Sequence, residues 1–271
     1  MKRRPGQRNR LRSAGGVLGL LATVPPGGSA MAGEVLVAAA ANVAGPLQQM
    51  SAAFTADTGH TLRVASGASG KFVHQVRAGA PFQVLLAADA ETPARLLADG
   101  LAVKGSAFTY AIGRLVLWSA RPGWVDDAGH VLAGGSFAHL AIAQPKTAPY
   151  GAAAIQVLRA RGLEASLGPR LVTGESVAQA WQYVHSGQAE LGFVALSQIT
   201  RPGQPPLGSH WLVPAHLHQP IRQDAVLLLP GRDQPAALAL LAWLKSTPAQ
   251  TRLRSWGYES PAGLGLSSAK P

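Results

Sequence analysis

The sequence predicts an α/β protein built as two strand-and-helix units, with the chain passing between them twice. Three observations predict it. Short apolar runs alternate with segments of helical period between residues 35 and 100, and the same alternation restarts at residue 140. Two long strands, 110–119 and 221–229, stand where the chain is expected to cross from one unit to the other.

Taken in order, residues 35–40 form a strand, because they are an unbroken apolar run of the length a buried parallel strand needs. Residues 46–58 form a helix with Leu47, Met50 and Phe54 on one face and Gly59 as its stop. A strand near 61–65, a helix over 69–78, a strand over 83–87 and a helix over 91–98, ended by Gly100, complete the first alternation. After the long continuous strand 110–119 come a strand at 140–143, helices at 151–161 and 176–186, and a strand at 191–194. Residues 201–208, rich in Pro and Gly, are a loop. The run 221–229 is a strand, and 236–245 and 248–256 are helices. No internal repeat runs at a fixed period. Two crossings make a hinge, and sheets of this kind place ligands beyond the carboxyl ends of their strands.

The chain has 271 residues, enough to bury a substantial core. Its 47% hydrophobic and 14% charged content excludes intrinsic disorder. Cysteine is absent, which excludes a disulfide framework, a thiolate metal site and a cysteine nucleophile.

A formal charge of +11 suggests a nucleic-acid partner until the charges are located. Lys2, Arg3, Arg4, Arg8, Arg10 and Arg12 lie in the first twelve positions without a single acid, followed by a short apolar run over 16–24 and by Ala30-Met-Ala32. A basic start, a short apolar stretch and small residues in this order read as a secretory signal cleaved after Ala32. Its removal leaves 18 basic and 13 acidic residues, net +5, and the case for nucleic acid falls away. The mature protein is expected outside the cytoplasmic membrane.

Small or hydroxyl-bearing residues sit where helices begin: Ala38-Ala-Ala-Ala-Asn42, Ser66-Gly-Ala-Ser-Gly70, Thr147-Ala-Pro-Tyr-Gly151 and Thr173-Gly-Glu-Ser-Val177. A helix start offers about four N–H groups without helical partners and a partial positive charge, and small side chains let an anion reach them. The plainer role for Asn42, Ser69 and Ser176 is to cap their own helices, and that alternative stays open.

Other motifs carry less. Gly67-Ala-Ser-Gly-Lys71 is too short for a nucleotide phosphate loop, and Phe72 stands where that loop needs a hydroxyl. Ser69 and His74 lie five residues apart on one helix, a poor nucleophile and base pair. His216 and His218, on one face of a strand, form with His210 a possible metal set that is more simply three solvated histidines. Trp181, Tyr183, Trp211, Trp243 and Trp256 read as packing residues rather than a sugar platform.

Several blocks together resemble the periplasmic molybdate-binding proteins of ABC-type molybdate importers, in order from about residue 35 to Tyr258. They are Val37-Ala-Ala-Ala-Ala-Asn42, Gly67-Ala-Ser-Gly70, Gln75-Val-Arg-Ala-Gly-Ala-Pro81, Ala87-Ala-Asp89, Tyr110-Ala-Ile-Gly-Arg-Leu-Val-Leu-Trp-Ser119, Pro145 through Pro149-Tyr-Gly151, and Ala189-Glu-Leu-Gly-Phe-Val194. The resemblance implies a type II periplasmic-binding-protein fold, two α/β lobes joined by a two-strand hinge with the ligand in the cleft. It divides the chain into a signal peptide at 1–32, a first lobe at 33–113 and 223–271, and a second lobe at 114–222. It implies oxyanion contacts at Ala41, Asn42, Ser69, Tyr150 and Val177. Ala195 stands where some members carry a donating Tyr, and Gln83 where the family carries Asp.

The implied ligand is molybdate or tungstate, the partners are an ABC permease and its ATPase, and the protein is a monomer without enzymatic activity or cofactor. The metal arrives inside its oxyanion, so no side chain ligates it. A fully deprotonated tetrahedral dianion only accepts hydrogen bonds, so its cage needs donors and no carboxylate; Glu175, the one neighbouring acid, is assigned to capping. The competing expectations are another small anion such as sulfate or thiosulfate, and a secreted hydrolase using Ser69.

Overall fold

The computed structural model describes residues 32–134 and 136–261; the signal segment 1–32, save Ala32, and residues 262–271 lie outside them. The elements in chain order are β1 (Glu34–Ala40), α1 (Ala41–Gln49), α2 (Ser51–Thr58), β2 (Thr61–Gly67), α3 (Ser69–Arg77), β3 (Val84–Leu86), α4 (Glu91–Ala98) and β4 (Phe108–Gly113). Then follow β5 (Leu115–Ser119), α5 (Val131–Gly134), β6 (Leu140–Ala143), α6 (Pro149–Ala160), α7 (Glu164–Leu167), β7 (Leu171–Gly174), α8 (Val177–His185), β8 (Leu191–Ala195) and α9 (Leu196–Ile199). β9 (Ser209–Leu212), β10 (Ile221–Leu227), α10 (Pro235–Lys245) and α11 (Thr247–Ser255) complete the chain.

Two sheets of five strands each result, ordered β2-β1-β3-β10-β4 and β7-β6-β8-β5-β9. In the first, β1 runs parallel to β2 and β3, while β10 is antiparallel to β3 and β4. In the second, β6 runs parallel to β7 and β8, while β5 is antiparallel to β8 and β9. β1 needs an unbroken apolar run because both its faces are covered: Val35, Val37 and Ala39 pack in one cluster and Ala38 in another, with Phe72, Leu85 and Leu96. Tryptophans pack as expected. Trp243 meets Phe54 edge-on, and Trp181 on α8 stacks between Trp118 of β5, 6.0 Å away, and His185, 4.5 Å away.

The structure corrects four expectations. The run 110–119 is not one strand: it breaks at Arg114, and β4 and β5 join different sheets. An apolar run shows burial but not a change of sheet. The break lies where a Cβ on Gly113 would come within 2.1 Å of the Tyr150 hydroxyl, so the chain there passes too close to its neighbour for any side chain. The helix expected over 46–58 starts five residues earlier, at Ala41, and divides at Met50. His216 lies in a 3-10 turn, Ala215–Leu217, rather than a strand, and no cluster of potential metal ligands exists among the described residues. The strand expected to run to 229 ends at Leu227. Two short strands, β7 and β9, escape the periodicity because each sits at a sheet edge with too few residues to show an alternation.

Candidate functional site

Four helices begin directly beyond strand ends: α1 after β1, α3 after β2, α6 after β6 and α8 after β7. Their first N–H groups have no helical acceptor and point out of the helix ends. The starts of these helices line one small void. Ala41, Asn42, Ser69, Tyr150 and Val177 all lie on its wall, beside Ala88 and Ser176, and no wall residue is charged. The void is built from both sheets, since α1 and α3 follow strands of the first and α6 and α8 strands of the second.

Each of these residues is placed differently. Ser69, 1% exposed, is the first residue of α3, and its Oγ accepts from the Ala88 N–H at 2.9 Å. With an acceptor site on that oxygen used, the hydroxyl proton remains to be donated, and no described residue receives it. Asn42 is the second residue of α1 and 1% exposed, but its side-chain amide is spent elsewhere: Nδ2 donates to Gln223 Oε1 at 2.8 Å and to the Tyr258 hydroxyl at 2.9 Å. With Nδ2 taken, the donor that Asn42 leaves available at the void is its backbone N–H. Neither Asn42 nor Ser69 caps a helix with its side chain; Ser176 does, accepting from Gln179 N. Tyr150 is the second residue of α6, where its backbone N–H has no helical acceptor, while its ring is buried and its phenol is pushed far above the usual range by desolvation, so it stays neutral. Val177 opens α8, and Gln198 Nε2 donates to its carbonyl at 3.1 Å.

The two halves also touch at the rim. The Gly70 N–H donates to Thr147 O at 3.0 Å, and Lys71 pairs with Glu175 at 2.6 Å. Glu175 thus spends its carboxylate on an ion pair and does not cap α8. With both partners exposed, that pair contributes about 0–1 kcal/mol. A wider hollow of about 370 Å³ adjoins the void, sharing Ala88, Ala148 and Pro149 with it. Its wall carries Arg95, Lys146 and Arg222 together with Asp89 and Glu91, so both signs of charge line it.

The family model described as bacterial extracellular solute-binding protein matches residues 35–259. The chain belongs to that family. It is 53% identical over 230 residues, 85% of this chain and 91% of the other, to the molybdate-binding protein ModA of Azotobacter vinelandii. It is 50% identical over 230 residues to ModA of Rhodobacter capsulatus, covering 84% of this chain and 89% of that one. The solved structure of the Azotobacter vinelandii periplasmic molybdate-binding protein superimposes with a TM-score of 0.81 at 43% identity, covering 84% of this chain and 99% of the other. The two-lobed α/β fold expected from the sequence is the fold of this solute-binding protein.

Two family departures noted in the sequence have local answers. The Gln83 amide oxygen accepts from Leu36 N–H at 3.0 Å, tying it to β1. Ala195 is fully buried at the end of β8, with its N–H held by Gln198 Oε1 at 2.9 Å. Sequence reasoning missed Gln198, Gln223, Ser197 and Tyr258, whose site contacts join residues far apart in the chain.

Proposed function

We propose that this solute-binding protein captures molybdate outside the cytoplasmic membrane and delivers it to the permease and ATPase of an ABC importer. One observation carries the reading: four helix starts and the Ser69 hydroxyl converge on a void with no charged side chain, in a chain closely similar to molybdate-binding proteins. A dianion whose oxygens all accept is matched by donors alone. Charge-assisted hydrogen bonds contribute about 1.5–3 kcal/mol each, so about six support sub-micromolar affinity after ordering costs. Tungstate, with the same charge, shape and nearly the same size, binds as well, while sulfate is discriminated by size.

The same reading makes the protein a monomer with no cofactor and no catalytic activity, exported by a signal peptide that is removed near Ala32. The Ser69 oxygen accepts from a backbone N–H and has no base beside it, while His74 is exposed on α3, which argues against a hydrolase. The open form takes the anion on the α1 and α3 starts, and rotation about the two crossings brings Tyr150 and Val177 over it.

A thermal-shift screen tests the reading. A ligand at 100 times its Kd stabilises by about 2.7 kcal/mol. Large shifts with molybdate and tungstate, and none with sulfate, thiosulfate or phosphate, are expected; a shift with sulfate alone, or with no oxyanion, overturns it.

A further inference from the structure

Asn42 is the most heavily bonded residue on the void's wall, and none of its side-chain bonds is to the α1 helix it belongs to. Four residues later stands Pro46, inside α1. Proline has no N–H, so the helical bond that would fall on the Asn42 carbonyl is missing. Two hydroxyls take its place: Ser197 Oγ and the Tyr258 hydroxyl each donate to Asn42 O at 3.0 Å. The side chain is held as firmly. Gln223 is fully buried at a register irregularity of β10, and its Nε2 donates to Ile221 O at 3.1 Å. That bond fixes which way the Gln223 amide faces, so its Oε1 accepts from Asn42 Nδ2 at 2.8 Å.

These partners come from separate parts of the machine. Gln223 belongs to β10, which lies wholly in the first sheet just beyond the second crossing. Tyr258 precedes Glu259, which exchanges two backbone hydrogen bonds of 2.9 Å with Ile112 of β4, next to the first crossing. Ser197 belongs to α9, in the lobe opposite α1. Burial pushes the Tyr258 phenol above its usual range, so it remains a neutral donor and acceptor.

We infer that Gln223 and Tyr258 are positioning residues of the oxyanion site: through Asn42 they fix the first turn of α1 to both crossings and, with Ser197, to the closed position of the opposite lobe. The inference rests on the proposed oxyanion function. Neither residue touches the anion. Each keeps the Ala41 and Asn42 N–H groups aimed at it while the lobes are closed, so their loss speeds release more than it slows capture.

The test uses the full mature chain with Tyr258→Phe and, separately, Gln223→Met. Kd for molybdate is measured by calorimetry well below each variant's melting temperature, where a mere loss of stability leaves Kd unchanged. Release is measured by chasing radiolabelled molybdate with unlabelled anion. About a tenfold rise in Kd, carried by faster release with capture nearly unchanged, is expected for each variant that folds. Ser197→Ala, which removes the cross-lobe hydroxyl alone, is expected to act the same way, and Ser197→Thr to restore binding. Variants that keep the wild-type Kd and release rate, while the wild type binds, overturn the inference and leave the function standing. A wild-type chain that binds no molybdate overturns both.

Discussion

Gly70 gives the sharpest separation between folding and binding. It is the second residue of α3, it follows Ser69, and its N–H donates to Thr147 O across the cleft at 3.0 Å. A Cβ at residue 70 would lie 3.1 Å from Thr147 O, 3.2 Å from its Cα and 3.3 Å from its Cβ, so the neighbour must retreat by a few tenths of an ångström. Thr147 cannot retreat alone, because its turn is pinned by Thr147 N to Gln144 O at 3.2 Å and Ala148 N to Gln144 O at 2.9 Å. The lobes must part instead. Tyr150 lies three residues beyond Thr147, so its N–H moves away from the anion with the turn. Stretching one charge-assisted bond of about 1.5–3 kcal/mol, without breaking it, forfeits about 1.4 kcal/mol, or tenfold in Kd. In the ligand-free chain the same change acts oppositely, since alanine in a helix is favoured over glycine by about 0.5–1 kcal/mol, which raises the melting temperature by about 1–4 °C. For Gly70→Ala, calorimetric titration with molybdate and a ligand-free melt should therefore move in opposite senses. An unchanged or tighter Kd refutes the argument that this contact sets lobe closure.

Ser69→Ala removes a hydroxyl donor and orphans the Ala88 N–H, so molybdate affinity should fall by roughly ten- to hundredfold and the ligand-free chain should lose about 1–3 kcal/mol, both read by calorimetry. A retained Kd would remove Ser69 from the cage. Burial lowers the pKa of His218 below its ordinary value, so the unfolded chain binds its proton at a higher pH than the folded one. Its contribution to stability is thus complete above about pH 6.5 and is lost as pH falls below it, a slope that denaturant melts of His218→Gln should lack.

The fold was legible where burial dictates composition. The unbroken run of β1 reports a strand covered on both faces, and the small residues at 38–42, 66–70, 147–151 and 173–177 report helix starts that something approaches closely. What periodicity cannot carry is partnership across the chain. Asn42 reads as a ligand in the sequence, yet the groups that occupy its amide and carbonyl stand 155, 181 and 216 residues away. Pro46 was the available clue, since it announces that the carbonyl four residues earlier must find a donor elsewhere. Likewise the Tyr110 to Ser119 run reports depth of burial and hides its break at Arg114, because both halves are equally apolar.

The stack of Trp118, Trp181 and His185 places an indole one turn past Val177, on the helix whose first N–H groups face the void, and against the strand that opens the second lobe. An oxyanion held at those N–H groups, as proposed above, would sit one helical turn from a native fluorophore. Intrinsic emission is therefore expected to shift when molybdate is added, which would make loading and unloading visible without a dye; emission that molybdate leaves unmoved in a chain that binds it refutes the coupling.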